Sequence, residues 1–441
     1  MSTTVSTGST GLRRHHIPGR FGAWMRCHLV ALLVWLVVFV IGLQGLYDRL
    51  ARGSLLTDLG SYNPWGLWVA SYIWFIGLSA GAFLLSTLVY VFRIRRLERV
   101  APLALFVALV TLFMALLMIW FDIGHMARFW EVYLRPNFHS AMAWMVWLYT
   151  AYLLLLLAET YLVLRPRLVA RVGAAGLSGS IARLLAGRRT PLIDGERSRG
   201  QRAILILGAL GIPLAIAFHG GVGALFATVD ARAVWNSSLY PILFLVGALF
   251  SGGALFTGLV AFVWPSRDED WRSIVRLLGS ITLGLLLIEA LLDWADLSVP
   301  LWYHIGIDVS ALSYMLTGPF WWVFWIVQVG LGLAVPAGLL IWGRRSPQVV
   351  GAAGLLAAVV FIAARLDLIL PGFVSPELVG LPNSYHDGRL LYHYFPTWSE
   401  WELVAFVIAV GVALFVIGIR LLPILSGTDA PALQTSEGDQ L

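Results

Sequence analysis

Cysteine occurs once in 441 residues, at Cys27, and lysine not at all. One thiol excludes an internal disulfide and any iron–sulfur cluster held by this chain's own thiolates, so cluster chemistry would have to come from a partner. Charge is scarce: 12% of residues are charged against 59% hydrophobic, and the mean hydropathy is +0.83. That balance excludes a water-soluble domain with a polar surface and defines an integral membrane protein. Histidine is also sparse. Of nine, only His219 lies well inside an apolar run, and His28 sits near the opposite edge of its own run. A transmembrane haem needs paired histidines at matching depth, so neither haem nor a metal site is expected. The thirty basic residues are all arginines placed in short loops between apolar runs rather than on one face, which argues against nucleic acid as a partner.

What the chain has in abundance is long apolar runs. Ten reach the length of about 20 residues needed to cross the hydrocarbon of a bilayer. They lie near 24–46, 64–92, 101–121, 141–164, 203–228, 239–264, 273–297, 319–342, 349–370 and 402–422. The first follows Arg13, Arg14, Arg20 and Arg26, is too long for a signal peptide, and has no small-residue cleavage site behind it. Alternating sides puts 23 arginines with the N-terminus and six on the other side. The positive-inside rule then predicts both termini in the cytoplasm, with the chain in the inner membrane. The expected plan is a cytoplasmic segment 1–23, a first span and outer loop to 63, and a four-helix bundle over 64–228. A second bundle over 229–370, an outer loop 371–401, a last span 402–425 and a cytoplasmic tail 426–441 complete it. Nine arginines with Gly and Ser make 165–202 a partly disordered cytoplasmic connector near anionic membrane lipid.

An internal repeat supports two bundles. GLSAGAFLLSTLVYVF (77–92) aligns with LFSGGALFTGLVAFVW (249–264), matching Ser79 with Ser251, Gly81 with Gly253 and Ala82 with Ala254. The next span of each half ends near an aspartate, Asp122 or Asp293. Spans 2–5 and 6–9 thus read as an all-α parallel repeat about the membrane normal, flanked by spans 1 and 10.

Ionisable groups inside such runs cost free energy unless partnered, and so point to function. Asp122, His125 and Arg128 directly follow the apolar run 103–121. His219, Glu289 and Arg365 each lie about sixteen residues into outward-running spans, roughly 24 Å from the cytoplasmic edge at 1.5 Å per residue. Glu289, Asp293 and Asp296 share one helical stripe, for which Arg365, with Asp367 close by in sequence, is the expected counter-charge. Glu159 falls near the cytoplasmic end of span 4. Acids, His, Arg and aromatics in the outer leaflet suit a quinone, whose ring stacks on Trp or Tyr and whose oxygens need proton-exchanging partners. A secondary transporter would also keep buried charges beside a binding site, and stands as the alternative.

The motifs resemble a known family. NPWGLWVASYIWFIGLSAGAFLLS (63–86), DIGHMARFW (122–130) and RPNFHSAMAWMVWLY (135–149) are similar to the NrfD/PsrC membrane subunits of polysulfide reductase type. YFPTWSEW (394–401), IRLLPIL (419–425) and the ten spans look like the HybB and DsrP branch, the likeness covering 55–425. It implies a haem-free subunit that reacts with menaquinone or ubiquinone and exchanges electrons with an extracytoplasmic ferredoxin-like four-cluster iron–sulfur subunit. That subunit would serve a hydrogenase or a molybdopterin oxidoreductase. It also implies a quinone near the outer face of the first bundle, at Trp65, Tyr72, Asp122, His125, Arg128 and Trp130. His219, in FHGGVG, and Glu159 match positions where HybB-like proteins carry His and Glu. Trp144 stands where that branch has an acid, which unsettles a proton route copied from it. A proton-translocating role within a larger respiratory complex would need a polar path to Glu159.

Overall fold

The computed structural model describes residues 18–425 apart from 93, 175, 188–193, 230–231, 304–305, 377, 379, 386 and 389. Among them there is no strand, and ten helices are long and apolar enough to cross a membrane. Spans 1 to 5 are Leu29–Arg52, Leu67–Tyr90, Ala101–Asp122, Ala141–Arg171 and Ser198–Ala227. Spans 6 to 10 are Tyr240–Val263, Glu269–Trp302, Val323–Trp342, Pro347–Val374 and Trp398–Leu421. Each falls within a few residues of the run read from the sequence, because uninterrupted hydropathy at this length leaves the backbone no way to satisfy its polar groups in lipid except as a helix.

Span 2 is the axle. It packs along span 3 and crosses span 6, and span 6 packs in turn on spans 5, 7 and 9. The crossing is close because it is made by glycine: a Cβ on Gly81 would lie 2.1 Å from the carbonyl oxygen of Ala248 and 2.8 Å from the Cα of Gly252. Without an aqueous hydrophobic effect inside the bilayer, such close backbone approach supplies the van der Waals contact that holds helices together. Spans 1 and 10 pair with one another beside span 3. Gly42 and Gly45 sit against the backbone of Phe406 and Leu403, and the Trp35 indole donates to the carbonyl of Ala409 at 2.9 Å. The outward face of span 1, including Leu29, Val30, Leu33 and Val37, is exposed, as a lipid-facing stripe requires.

Within 165–202, expected to be a partly disordered connector, the described residues are largely helical. The helix of span 4 runs to Arg171, a short helix covers Leu177–Ala186, and the helix of span 5 begins at Asp194. The glycines that suggested disorder act instead as stops: Gly176 and Gly187 flank the short helix with φ of +85° and +77°, a region open to glycine at no steric cost. That helix buries Gly179, Ala182 and Ala186 and exposes Leu177 and Leu184. The terminal segments 1–17 and 426–441 lie outside the described residues.

Candidate functional site

Asp122 is the last residue of span 3 and is partly exposed. Its electrostatic partner is Arg49 of span 1, buried at 4% exposure. Arg49 donates from Nε to the carbonyl of Phe121 at 2.6 Å and from Nη2 to that of Ile123 at 2.9 Å, so its fork brackets Asp122. Its guanidinium also lies 5.3 Å from the Trp68 ring centre. Arg128, the neighbour expected from the sequence, is exposed and paired elsewhere: its Nε reaches Glu131 at 2.7 Å, and that hydrogen bond holds its proton more tightly than usual. An i, i+3 pair within one turn competes better than a carboxylate six residues back across a bend. His125 is exposed, as is Trp130, whose indole donates to the carbonyl of Ala127. Trp65 does not join Asp122. It stacks on Trp235 at 6.1 Å and meets Phe226 and Phe373 edge-on, which makes it part of an aromatic plug contributed by four separate chain segments.

Tyr72, on span 2, is within electrostatic reach of Asp122, and its hydroxyl is 3.4 Å from that of Tyr149 on span 4. One turn further, the hydroxyls of Tyr152 and Ser79 are 3.3 Å apart, and Ser79 donates to the carbonyl of Ala108 at 2.7 Å. Continuing down span 4, Glu159 is fully buried with neither carboxylate oxygen hydrogen bonded. Tyr90 and Tyr152 are its electrostatic neighbours. The polar groups of spans 2 and 4 therefore form a broken line from Asp122 toward the far end. His219 is also fully buried, both ring nitrogens unbonded, close to Gly77 and Ser251 where spans 2 and 6 face each other. A buried imidazole whose nitrogens meet no hydrogen-bond partner carries a desolvation cost.

A second polar centre lies among spans 7, 8 and 9. A cavity of about 360 Å³ is lined by Glu289, Asp293 and Asp296 of span 7, Gln328 of span 8, Arg365 and Asp367 of span 9, and Ser237. Arg365 lies between the rings of Phe244 and Phe361, 5.0 and 4.5 Å from their centres, and interacts with both Glu289 and Asp293. Gly247 makes room for it: a Cβ there would sit 2.2 Å from Arg365 Nη2 and 2.7 Å from Glu289 Oε1. Ser237 donates to Asp296 at 2.7 Å and Gln328 to Asp293 at 3.4 Å. Gln328 lies on a π-helical stretch, Val323–Ala334, a local widening that recurs at functional sites. Glu289 Oε2 and Asp367 Oδ2 remain unbonded. Among the described residues no group of His, Cys, Asp and Glu has the geometry to hold a metal ion.

Sequence reasoning missed Arg49, Glu400, Tyr149, Tyr152 and Gln328. Arg49 was counted only as a loop charge, although its place at the end of an apolar run was a usable signal. Glu400 sits in YFPTWSEW as the N3 residue of a capping box with Thr397, which disguises a buried carboxylate as an ordinary helix start. It is fully buried, accepts from the Tyr394 hydroxyl and from Asp58 N at 3.1 Å, and is within electrostatic reach of Asp122. Burial and the adjacent Glu400 push the Tyr394 hydroxyl well above its usual range, so it remains a donor.

Ten spans with ionisable side chains buried among them define a polytopic membrane protein. The chain belongs to the polysulphide reductase NrfD family, whose model matches residues 56–377. A selenate reductase subunit of Mesobacillus selenatarsenatis is 36% identical over 397 residues, covering 88% of this chain and 92% of that protein. The menaquinone reductase integral membrane subunit of Nitratidesulfovibrio vulgaris is 24% identical, covering 90% and 93%. The Escherichia coli "Probable Ni/Fe-hydrogenase 2 b-type cytochrome subunit" is 25% identical, covering 88% and 90%. The chain is thus a transmembrane member of a family of oxidoreductase-complex subunits, with quinone-linked relatives.

Proposed function

We propose that the protein is the quinone-reactive, haem-free membrane subunit of a respiratory oxidoreductase, and that quinone reacts at the extracytoplasmic end of spans 2 to 4 beside Asp122. The observation that carries this reading is a partly exposed carboxylate at a helix end, bracketed by Arg49 and within electrostatic reach of Tyr72, whose hydroxyl meets that of Tyr149. The group set fits a quinone: carboxyl and phenol hydroxyls are donors and acceptors of the kind its two oxygens require, in a setting rich in aromatic side chains. Bound there, the quinone supplies two-electron chemistry coupled to two protons. Asp122 holds one of those protons, with His125 at the exposed rim exchanging it with solvent. Menaquinone and ubiquinone both meet these requirements. Haem ligation would need a second imidazole at the depth of His219, and the sequence places none well inside another span.

Both termini lie in the cytoplasm on this reading, and the loops after spans 1, 3, 5, 7 and 9 face outward. A ferredoxin-like four-cluster subunit docks on that face and carries electrons to or from a molybdopterin enzyme or a hydrogenase. The single cysteine of this chain supports the assignment of clusters to a partner. Glu159, His219, Glu289, Asp293, Arg365 and Asp367 serve proton movement. What favours this is the buried, unbonded state of His219, Glu159, Glu289 Oε2 and Asp367 Oδ2, which structural side chains rarely tolerate.

The test is Asp122→Asn in the purified complex. Quinol-linked turnover should fall by about 10²-fold or more, the scale of a lost general acid or base. Partner binding and the partner's artificial-dye activity should persist. Normal quinol turnover in a fully assembled Asp122→Asn complex would remove this residue, and with it the location of the site.

A further inference from the structure

We propose that Arg49 is the positioning residue of the Asp122 site, and that spans 1 and 10 complete a site which the family-matched region leaves open. The inference rests on the quinone reading above. The family model spans 56–377, so neither Arg49 nor Glu400 belongs to the region it matches. Yet both lie within electrostatic reach of Asp122, one a base and the other an acid.

The last carbonyls of a helix have no partner within it, and the end carries partial negative charge. Arg49 meets both needs of span 3, donating to Phe121 and Ile123 on either side of Asp122. A buried guanidinium with two of its donors fixed on backbone cannot wander. It fixes the last turn of span 3 and therefore the direction in which the Asp122 carboxylate leaves the helix. The support continues outward. Trp68, on which Arg49 rests, donates its indole N–H to the carbonyl of Glu400 at 3.3 Å. Glu400 accepts from Tyr394, and the Tyr394 oxygen accepts from Leu67 N at 2.7 Å, at the start of span 2. Gly66 is held small by this contact, since a Cβ there would overlap the Tyr394 hydroxyl at 2.2 Å. Asn63 donates to the carbonyls of Leu391 and His393 at 2.7 and 3.2 Å, which clamps the loop before span 2 to the loop before span 10. Spans 1, 2, 3 and 10 are thus locked together at the one level where Asp122 emerges. Spans 1 and 10 are accordingly part of the reactive site as well as packing for its outer wall.

Arg49→Gln and Arg49→Lys, assayed in the assembled complex with a short-chain quinol, test this. A residue that aims the carboxylate without holding the quinol changes kcat and leaves KM within about threefold. Arg49→Gln should lower kcat by about 10- to 100-fold, the range set by losing a charge-assisted bond. Arg49→Lys keeps the charge but not the fork that spans the two carbonyls, and should recover only part of that loss. In an Asp122→Asn background, Arg49→Gln should add less than about threefold, because the group it aims is already gone. Wild-type kcat in assembled Arg49→Gln complex would overturn the proposal. So would equal losses in Gln and Lys variants that merely track the amount of assembled complex, or full multiplicativity with Asp122→Asn. If Asp122→Asn itself turns over quinol normally, the site reading fails and this inference with it. If Asp122→Asn is crippled while Arg49→Gln is silent, only this inference fails.

Discussion

Replacing Arg365 by Met asks whether a buried counter-charge is worth what its geometry implies. Arg365 Nη2 and Glu289 Oε1 both fall within 3 Å of the same point, the site of a Cβ on Gly247, which places them within about 5 Å of each other. At that distance and an effective dielectric near 20, the attraction is about 3 kcal/mol. The loss is capped by the alternative open to Glu289, which is to take up a proton. The expected destabilisation is thus about 3 kcal/mol, consistent with the 3–5 kcal/mol typical of breaking a buried pair from one side. Methionine fills similar space between Phe244 and Phe361, so a packing defect adds little. The assay is reversible unfolding in mixed micelles, with Arg365→Met, Glu289→Gln and the double variant compared at constant pH. The double variant should regain about 2 kcal/mol or more over Arg365→Met, since no uncompensated carboxylate remains at position 289. Asp293 retains some need for Arg365, which keeps the rescue incomplete. A double variant whose loss equals the sum of the two singles would refute the pairing and the account of why position 247 is glycine.

Gly247→Ala should produce a milder version of the same defect, about 1–3 kcal/mol, because the added methyl displaces a guanidinium held between two rings; an unchanged unfolding midpoint would show that the side chain moves aside freely. Gly81→Leu should prevent accumulation in the membrane, since spans 2 and 6 meet backbone to backbone there, and normal accumulation would contradict that crossing. Reporter fusions after residue 180 should report cytoplasm and those near residue 385 the opposite side; the reverse pattern would move the docking face of the electron-transfer partner. The purified subunit should show no Soret band in either redox state, and a stoichiometric b-type spectrum from this chain alone would overturn the reading of its histidines.

The ten spans were legible because membrane helices are written in one variable, hydropathy over about 20 residues, and that variable is local. Counting along Ser198–Ala227, Glu269–Trp302 and Pro347–Val374 gives His219, Glu289 and Arg365 similar positions along their helices, and in the structure Arg365 acts on both Glu289 and His219. What sequence could not supply was the partner of Asp122. Proximity along the chain favours Arg128, yet Arg128 lies beyond the bend that ends span 3 and finds Glu131 within its own turn. Arg49 is 73 positions away and reaches Asp122 only because spans 1 and 3 end at the same level with span 10 wedged beside both. Trp65 meets a similar limit: its motif groups it with the quinone residues, and in the structure Trp235 and Phe373, from distant segments, pack on its ring. In both cases the deciding contact comes from an element more than 70 residues distant, and the hydropathy that fixes where a helix lies carries no record of which face it turns to such a neighbour. Buried polar groups, by contrast, can be recognised in the sequence but paired only in space, which is why Glu159 and His219 were found and their surroundings were not.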